Sequence, residues 1–227
     1  MWPHRRDLMN DPLQPNECIC SRQDCASGMY QTYLDERRQG GSTAMMQRCQ
    51  KYHNGQYPLL DIQVKHMLAH VDLRGGYVLD CCGSKTDAVY RVLTDEGLHV
   101  LTNDINERLT ADTHLDVLKS EFLRAYGEGA RQPQSIVANP PYKHAFAMLR
   151  QALAVARVGV IFKLRLSFLE PTKSRGGWLR KNSPGLLIAL SRAIYQGREC
   201  NVPEAWIMWY SGKTPRSPLP PQIVFAV

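Results

Sequence analysis

The sequence predicts an α/β fold, a doubly wound and mostly parallel sheet behind a small N-terminal extension. Three observations carry that expectation. Ser135-Ile136-Val137-Ala138 is short, apolar and partly β-branched, and it stops at Asn139-Pro140-Pro141-Tyr142, the pattern of a buried parallel strand ending in a rigid turn. Tyr77–Asp80, Cys81–Ser84, Lys85–Thr94 and His99–Thr102 read as strand, tight glycine-containing turn, helix and strand, closing on Asn103-Asp104; that succession is half of a doubly wound sheet. Val158–Phe162, Leu186–Leu190, Ala205–Tyr210 and Gln222–Val227 bring the strand count to seven.

Taken in order, residues 1–54 are rich in polar residues, Gly and Met and carry no clear strand signal, so they form the extension; residues 55–227 form the main domain. A helix over Met29–Arg38 is weakly patterned. Cys18, Cys20, Cys25, Cys49 and His53 include enough ligands for a structural zinc, but Cys18-x-Cys20 is short and the gap to Cys49 long for paired C-x2-C knuckles. Ordinary thiols fit as well, and no metal is assigned. Leu59, Leu60, Ile62, Val64, Met67 and Leu68 give a helical spacing across Tyr57–His70, ahead of the loop at Arg74-Gly75-Gly76. The helix from Lys85 closes near Gly97. After Tyr142, Phe146, Leu149 and Leu153 line one face of a helix.

At 227 residues and 44% hydrophobic, the chain can bury one α/β core and a small appendage. It has no apolar run long enough to span a membrane, and Met1–Asn10 is polar and charged, so no signal peptide and an intracellular, cytoplasmic protein are expected. Seven cysteines without a secreted framework fit a reducing compartment. The net charge of +7 is unevenly spread: residues 61–142 hold eight Lys/Arg against twelve Asp/Glu, whereas residues 143–227 hold thirteen against three. A block that basic, with interleaved aromatics, is the footprint of a surface facing phosphates. Within it, Lys173, Arg175, Trp178, Arg180 and Lys181 lie on a basic, Gly-containing stretch between strands and are the candidates for gripping nucleic acid; the plain alternative is a solubilising surface.

The chemistry concentrates at Asn139-Pro140-Pro141-Tyr142. Strand C-terminal edges are where ligands sit in α/β sheets. Two prolines lack N–H groups and hold the backbone extended, which leaves Asn139 Oδ1 and the Pro140 carbonyl as two rigid acceptors. Tyr142 offers a flat face for a base extruded from a helix. An exocyclic amine is a poor nucleophile because its lone pair is delocalised into the ring. Two acceptors that bind its N–H groups favour a tetrahedral nitrogen and aim the lone pair at an electrophilic methyl group. A chance Asn-Pro-Pro-Tyr occurs in roughly one chain of this size in a thousand, so the functional reading stands ahead of a mere loop signal. Asp104, 24 residues beyond Asp80, suits a carboxylate that accepts ribose hydroxyls.

The order Val78-Leu79-Asp80-Cys81-Cys82-Gly83, Asp104, Asp116-Val117-Leu118, Asn139-Pro140-Pro141-Tyr142 resembles class I S-adenosylmethionine-dependent methyltransferases of the amino-methylating branch, most of all the small bacterial and phage DNA N6-adenine enzymes. The likeness runs from Gln56-Tyr57-Pro58 through Phe162-Lys163-Leu164-Arg165 and Phe168-Leu169-Glu170-Pro171. It implies a Rossmann-like methyltransferase fold, seven-stranded with a late antiparallel hairpin, and S-adenosylmethionine as cofactor. By the same likeness Tyr57 and Pro58 cover the methionine part, and Asp80, Cys81 and Gly83 form the first cofactor loop. Asp104 with Ile105 holds the ribose side, Asp116 with Val117 the adenine side, and Asn139, Pro140, Pro141 and Tyr142 the target base beside the cofactor. The pattern departs at Lys85, where the family carries a second glycine. The implied reaction is methyl transfer to adenine N6 in DNA. RNA adenine, a protein glutamine and a silent nucleic-acid-binding subunit remain as alternatives. DNA is favoured over RNA as partner, no membrane is expected, and a protein partner or oligomer stays open because no target-recognition domain is visible.

Overall fold

The computed structural model describes residues 59–191, 202–212 and 222–226, with the backbone alone of the short strands 194–195 and 198–199. The weak helix at Met29–Arg38, the set Cys18, Cys20, Cys25, Cys49 and His53, the cover residues Tyr57 and Pro58, and the boundary at residue 54 lie outside the described residues.

Helix α1 spans Asp61–Leu68 and buries Gln63, Val64 and Met67. Strand β1 is Val78–Asp80. Helix α2 is Ala88–Asp95, starting three residues later than the sequence pattern suggests. The cause is local: the Ser84 N–H and hydroxyl both donate to Asp87 Oδ2, at 2.6 and 3.0 Å, and hold 84–87 as a turn. Its end is where a glycine permits one, since Gly97 adopts φ +77° and the Leu98 N–H reaches back to Leu93 O at 3.0 Å. Strand β2 is Val100–Thr102, and helix α3, Ser120–Tyr126, is a seven-residue element that the sequence pattern does not reveal.

Strand β3, Ser135–Ala138, has the bounds read from the sequence and is buried throughout. Helix α4 is Ala145–Val155, and its buried stripe is Ala145, Met148, Leu149, Ala152 and Val155. Phe146, Leu149 and Leu153 do line one face of the helix against the same core, Leu149 buried and Phe146 and Leu153 partly buried at the margin. Strand β4 runs Gly159–Arg165, three residues beyond the apolar run, because Lys163 stays inside the sheet. A 3-10 turn at Leu166–Leu169 and helix α5, Gly176–Lys181, follow, so the basic stretch between strands is in part helical. Strands β5 (Leu186–Leu190), β6 (Ile194–Tyr195), β7 (Arg198–Glu199), β8 (Glu204–Tyr210) and β9 (Gln222–Ala226) complete the chain.

The seven-stranded sheet has the order β2-β1-β3-β4-β8-β5-β9. All its strands run one way except β8, antiparallel between β4 and β5. Side chains alternate between its faces. Leu79, Ile136, Ala138, Phe162 and Ile207 meet α3 and α4 on one side. Val78, Val137, Ile161, Trp206 and Met208 meet α1 and α2 on the other, where Trp206 Nε1 donates to Gln63 O at 2.7 Å and ties β8 to α1. Among the described residues no helix is long and apolar enough to cross a membrane.

Candidate active site

From β1 the chain turns to β2 on one side and later reaches β3 on the other, so the C-terminal ends of β1 and β3 diverge around a crevice at the switch point. Asp80 ends β1 and is buried, with Oδ1 accepting the Cys82 N–H at 3.2 Å. Burial pushes its carboxyl well above the usual carboxylate range; the Cys82 N–H opposes that, and the nearby Asp87 and Asp104 charges add to it. Gly83 faces the same carboxylate so closely that a Cβ there would lie 2.1 Å from Asp80 Oδ2. Only glycine fits. Cys81 is packed into the core and Cys82 is half-buried. The Cys81 thiol and then burial push the Cys82 thiol well up.

Asn103 carries no motif signal in the sequence, yet it links the whole rim. Its Nδ2 donates to Cys81 O and Leu115 O, both at 3.0 Å, while its Oδ1 accepts the Thr113 hydroxyl and the Leu115 N–H, both at 2.8 Å. Its four bonds fix the loops after β1 and β2 to the segment that carries Asp116. Lys85 is turned toward that segment too: Nζ meets Asp112 Oδ1 at 2.5 Å and the Lys85 N–H meets Thr110 O at 2.8 Å. Burial works against the ionised Asp112 carboxyl, but the Lys85 ammonium and the Thr102 N–H and hydroxyl together hold it below its ordinary value. The departure from the family glycine pattern is therefore a side chain occupied elsewhere.

Asp104 is half-buried, and burial raises its carboxyl even though Oδ1 accepts the Asn106 N–H at 2.8 Å. Ile105 beside it is 64% exposed, an apolar surface without a cover among the described residues. Asp116 spends Oδ1 on the Leu118 N–H at 2.9 Å. Val117 is buried in the core, so only its main chain can face a ligand. Asp80, Asp87 and Asp104 lie close enough that the neighbouring carboxylates raise Asp80 and Asp104 further, beyond what burial does. Such a group of carboxylates suits a cation.

Across the crevice, Pro140 is buried, Asn139 and Tyr142 are partly buried, and the Pro141 carbonyl accepts the His144 N–H at 2.9 Å, which starts α4 immediately after the motif. No described residue donates to the Pro140 carbonyl. Tyr142 is more constrained than its sequence suggests. Its hydroxyl donates to Glu204 Oε1, and the Arg165 guanidinium lies over its ring, 4.7 Å from the centroid. Glu204 Oε2 meets Lys163 Nζ at 2.6 Å, a pair that is 4% and 0% exposed. One face of the expected stacking ring is thus taken. Sequence reasoning misses Lys163, Arg165 and Glu204 as site residues; the available signal is a lysine and an arginine, two apart, continuing a strand that otherwise reads as core.

The basic stretch divides. Lys173, Arg180 and Lys181 are exposed or partly exposed. Trp178 instead packs edge-on to Phe146 at 5.4 Å and beside Trp209 at 6.5 Å, and Arg175 donates to Ser167 O and Glu170 O at 3.2 and 3.3 Å while covering Phe168. Those two hold α5 onto the core.

No protein-family model matches the chain, and no curated protein matches it. Solved structures share its fold. A Listeria monocytogenes protein assigned to the class I S-adenosylmethionine-dependent methyltransferases aligns at TM-score 0.53 and 12% identity, covering 92% of this chain and 73% of its own. The methyltransferase subunit of a type I restriction-modification system from Streptococcus thermophilus aligns at TM-score 0.53 and 12% identity over 70% of this chain. The M protein of the type I restriction enzyme EcoKI aligns at TM-score 0.50 and 11% identity over 75%. The chain spans a little under half of these two subunits, 46% and 47%. The fold is the Rossmann-like methyltransferase fold.

Proposed function

We propose that this chain binds S-adenosylmethionine and methylates adenine N6 in DNA. The observation that carries the reading is Asn139-Pro140-Pro141-Tyr142 at the end of central strand β3, across the switch-point crevice from the carboxylates of Asp80 and Asp104. The residues fit the cofactor. A buried carboxylate held against Gly83 and without a cation partner among the described residues answers an ammonium group; Asp104 answers ribose hydroxyls, the exposed Ile105 an adenine face, and Asp116 its exocyclic amine. Bound there, the cofactor supplies an electrophilic methyl group.

The protein's part is to hold and orient. Asn139 Oδ1 and the Pro140 carbonyl accept the two N–H groups of the target amine and turn its lone pair out of conjugation, toward the methyl carbon. Transfer of the cofactor's methyl group would form the C–N bond as its C–S bond broke, and the extra proton on nitrogen would leave to solvent. Tyr142 holds the base on the face opposite Arg165. Lys173, Arg180 and Lys181 supply phosphate contacts. Lys85 gives little support to a catalytically silent chain, because its ammonium is paired with Asp112.

The test is tritiated-methyl transfer over duplex DNA, single-stranded DNA, RNA and protein, followed by nucleoside analysis. Label recovered as N6-methyladenine in DNA supports the proposal. Label in RNA or in glutamine would reassign the substrate, and cofactor binding without transfer to any polymer would reject the reaction.

A further inference from the structure

Lys163 and Glu204 are an ion pair with almost no exposure, and the pair has no role in the chemistry described above. Burying two charges in a sheet is a poor way to gain stability, since well-packed apolar residues of similar volume usually do as well or better. What the pair touches is more informative than what it stabilises. Glu204 divides its carboxylate between two tasks: Oε2 is on Lys163 Nζ and Oε1 accepts the Tyr142 hydroxyl. Arg165 stands directly opposite Glu204 in the β4–β8 ladder, and its guanidinium covers one face of the Tyr142 ring. Lys163 and Arg165 lie two residues apart on β4, so they share a face of the sheet. That face continues to the motif: the β3–β4 ladder ends at Ala138 and Phe162, and the next position on each strand is Asn139 and Lys163. A tyrosine on a loop after two prolines is thereby pinned at its tip and along one face by residues of two core strands.

We propose that Glu204, with Lys163 behind it and Arg165 over the ring, forms a positioning set that fixes the tilt and height of the Tyr142 ring for the target base. The inference rests on the proposed base-binding role of Tyr142. Lys163 neutralises Glu204 and points its carboxylate. Glu204 takes the hydroxyl and sets the ring plane. Arg165 closes the face that the base does not use and leaves a cation beside the strand that delivers it. These residues act through Tyr142 and touch neither the cofactor nor the reacting atoms.

Two uncharged double variants isolate the key bond. K163M/E204Q keeps a side-chain oxygen for the Tyr142 hydroxyl, whereas K163M/E204L removes it at similar size, and neither leaves a buried charge alone. We expect K163M/E204L to lose about tenfold in kcat/KM for DNA, a part of what one base stack is worth, with unchanged cofactor affinity and an unchanged or higher Tm. K163M/E204Q should recover most of that loss. Adding Y142F to K163M/E204L should cost nothing more, because both remove the same hydrogen bond. Fluorescence of a single-stranded oligonucleotide carrying 2-aminopurine gives a readout free of the reaction, with quenching expected in the parental chain and in K163M/E204Q but reduced in K163M/E204L. A folded K163M/E204L protein with parental kcat/KM and parental quenching overturns the positioning role. A parental chain that quenches through Tyr142 and Glu204 yet methylates nothing overturns the reaction and leaves the positioning set standing.

Discussion

Asp80→Asn separates function from stability at the first crevice loop. The carboxylate is buried, accepts one backbone N–H at 3.2 Å and sits among other carboxylates, so its ionised form is disfavoured in the empty site. Asparagine has the same shape and keeps an oxygen for the Cys82 N–H, but it cannot offer a charge to an ammonium. Losing one hydrogen bond to a charged acceptor costs about 1.5–3 kcal/mol, which is about 10- to 150-fold in Kd. Calorimetric titration with S-adenosylmethionine should therefore show that loss, while Tm holds or rises because a buried charge has been removed. Gly83→Ala attacks the same group from the other side, since its Cβ would fall 2.1 Å from Oδ2 and 2.5 Å from Cγ and must displace the carboxylate or the loop. Acting through one carboxylate, the two substitutions should be less than additive in the double mutant. Parental affinity in a folded Asp80→Asn protein would refute the reasoning, and full additivity would refute the shared cause.

Asp104→Ala should weaken the same titration by about 150-fold or more, two hydrogen bonds to a charged acceptor of about 1.5–3 kcal/mol each being at stake, with the fold unchanged by circular dichroism; unchanged affinity rules out the ribose assignment. Asn139→Ala should abolish methyl transfer and spare cofactor binding, and a folded variant that transfers at the parental rate would sink the two-acceptor mechanism. Removing the charges of Lys173, Arg180 and Lys181 should flatten the dependence of duplex DNA affinity on log salt, by up to about 0.9 for each phosphate no longer neutralised, whereas Arg175→Ala should act mainly on Tm; the reverse pattern would exchange the two roles. Because burial raises Asp80 and Asp104 above the usual carboxylate range, their contribution to stability is full below the unfolded carboxyl pKa and lost as pH rises through the raised folded values. A cationic ligand favours the ionised forms, so its affinity should climb with pH across that window with proton release, read as a dependence of binding heat on the buffer. No proton release in the parental chain would remove the linkage.

How much of this is legible in the sequence depends on whether the physics is local. Ser135–Ala138 and Leu186–Leu190 can be read to the residue because an apolar run bounded by turn residues is a complete description of a buried strand. The places of Asp80, Gly83, Asp104 and the Asn139–Tyr142 turn at strand ends are legible because each lies within a few residues of a strand signal, and strand ends are where ligands collect in such sheets. Asn103 is hidden by the same logic: an asparagine between a strand and an aspartate reads as loop until four bonds from two other segments converge on it. Side-chain packing is hidden for a related reason. Trp178 and Arg175 resemble a nucleic-acid grip in one dimension, but a tryptophan within reach of Phe146 and Trp209 gains more from burial than from waiting in solvent. Lys163 is the converse case, a charge that ends the apolar run in sequence and yet remains buried, because Glu204, forty-one residues later, returns along the neighbouring strand to meet it. A long-range pair of that kind leaves no periodic trace. Its effect on Tyr142 emerges only when β4, β8 and the motif are seen together: the motif supplies the ring, and two distant strands supply the constraint that holds its hydroxyl and covers one of its faces.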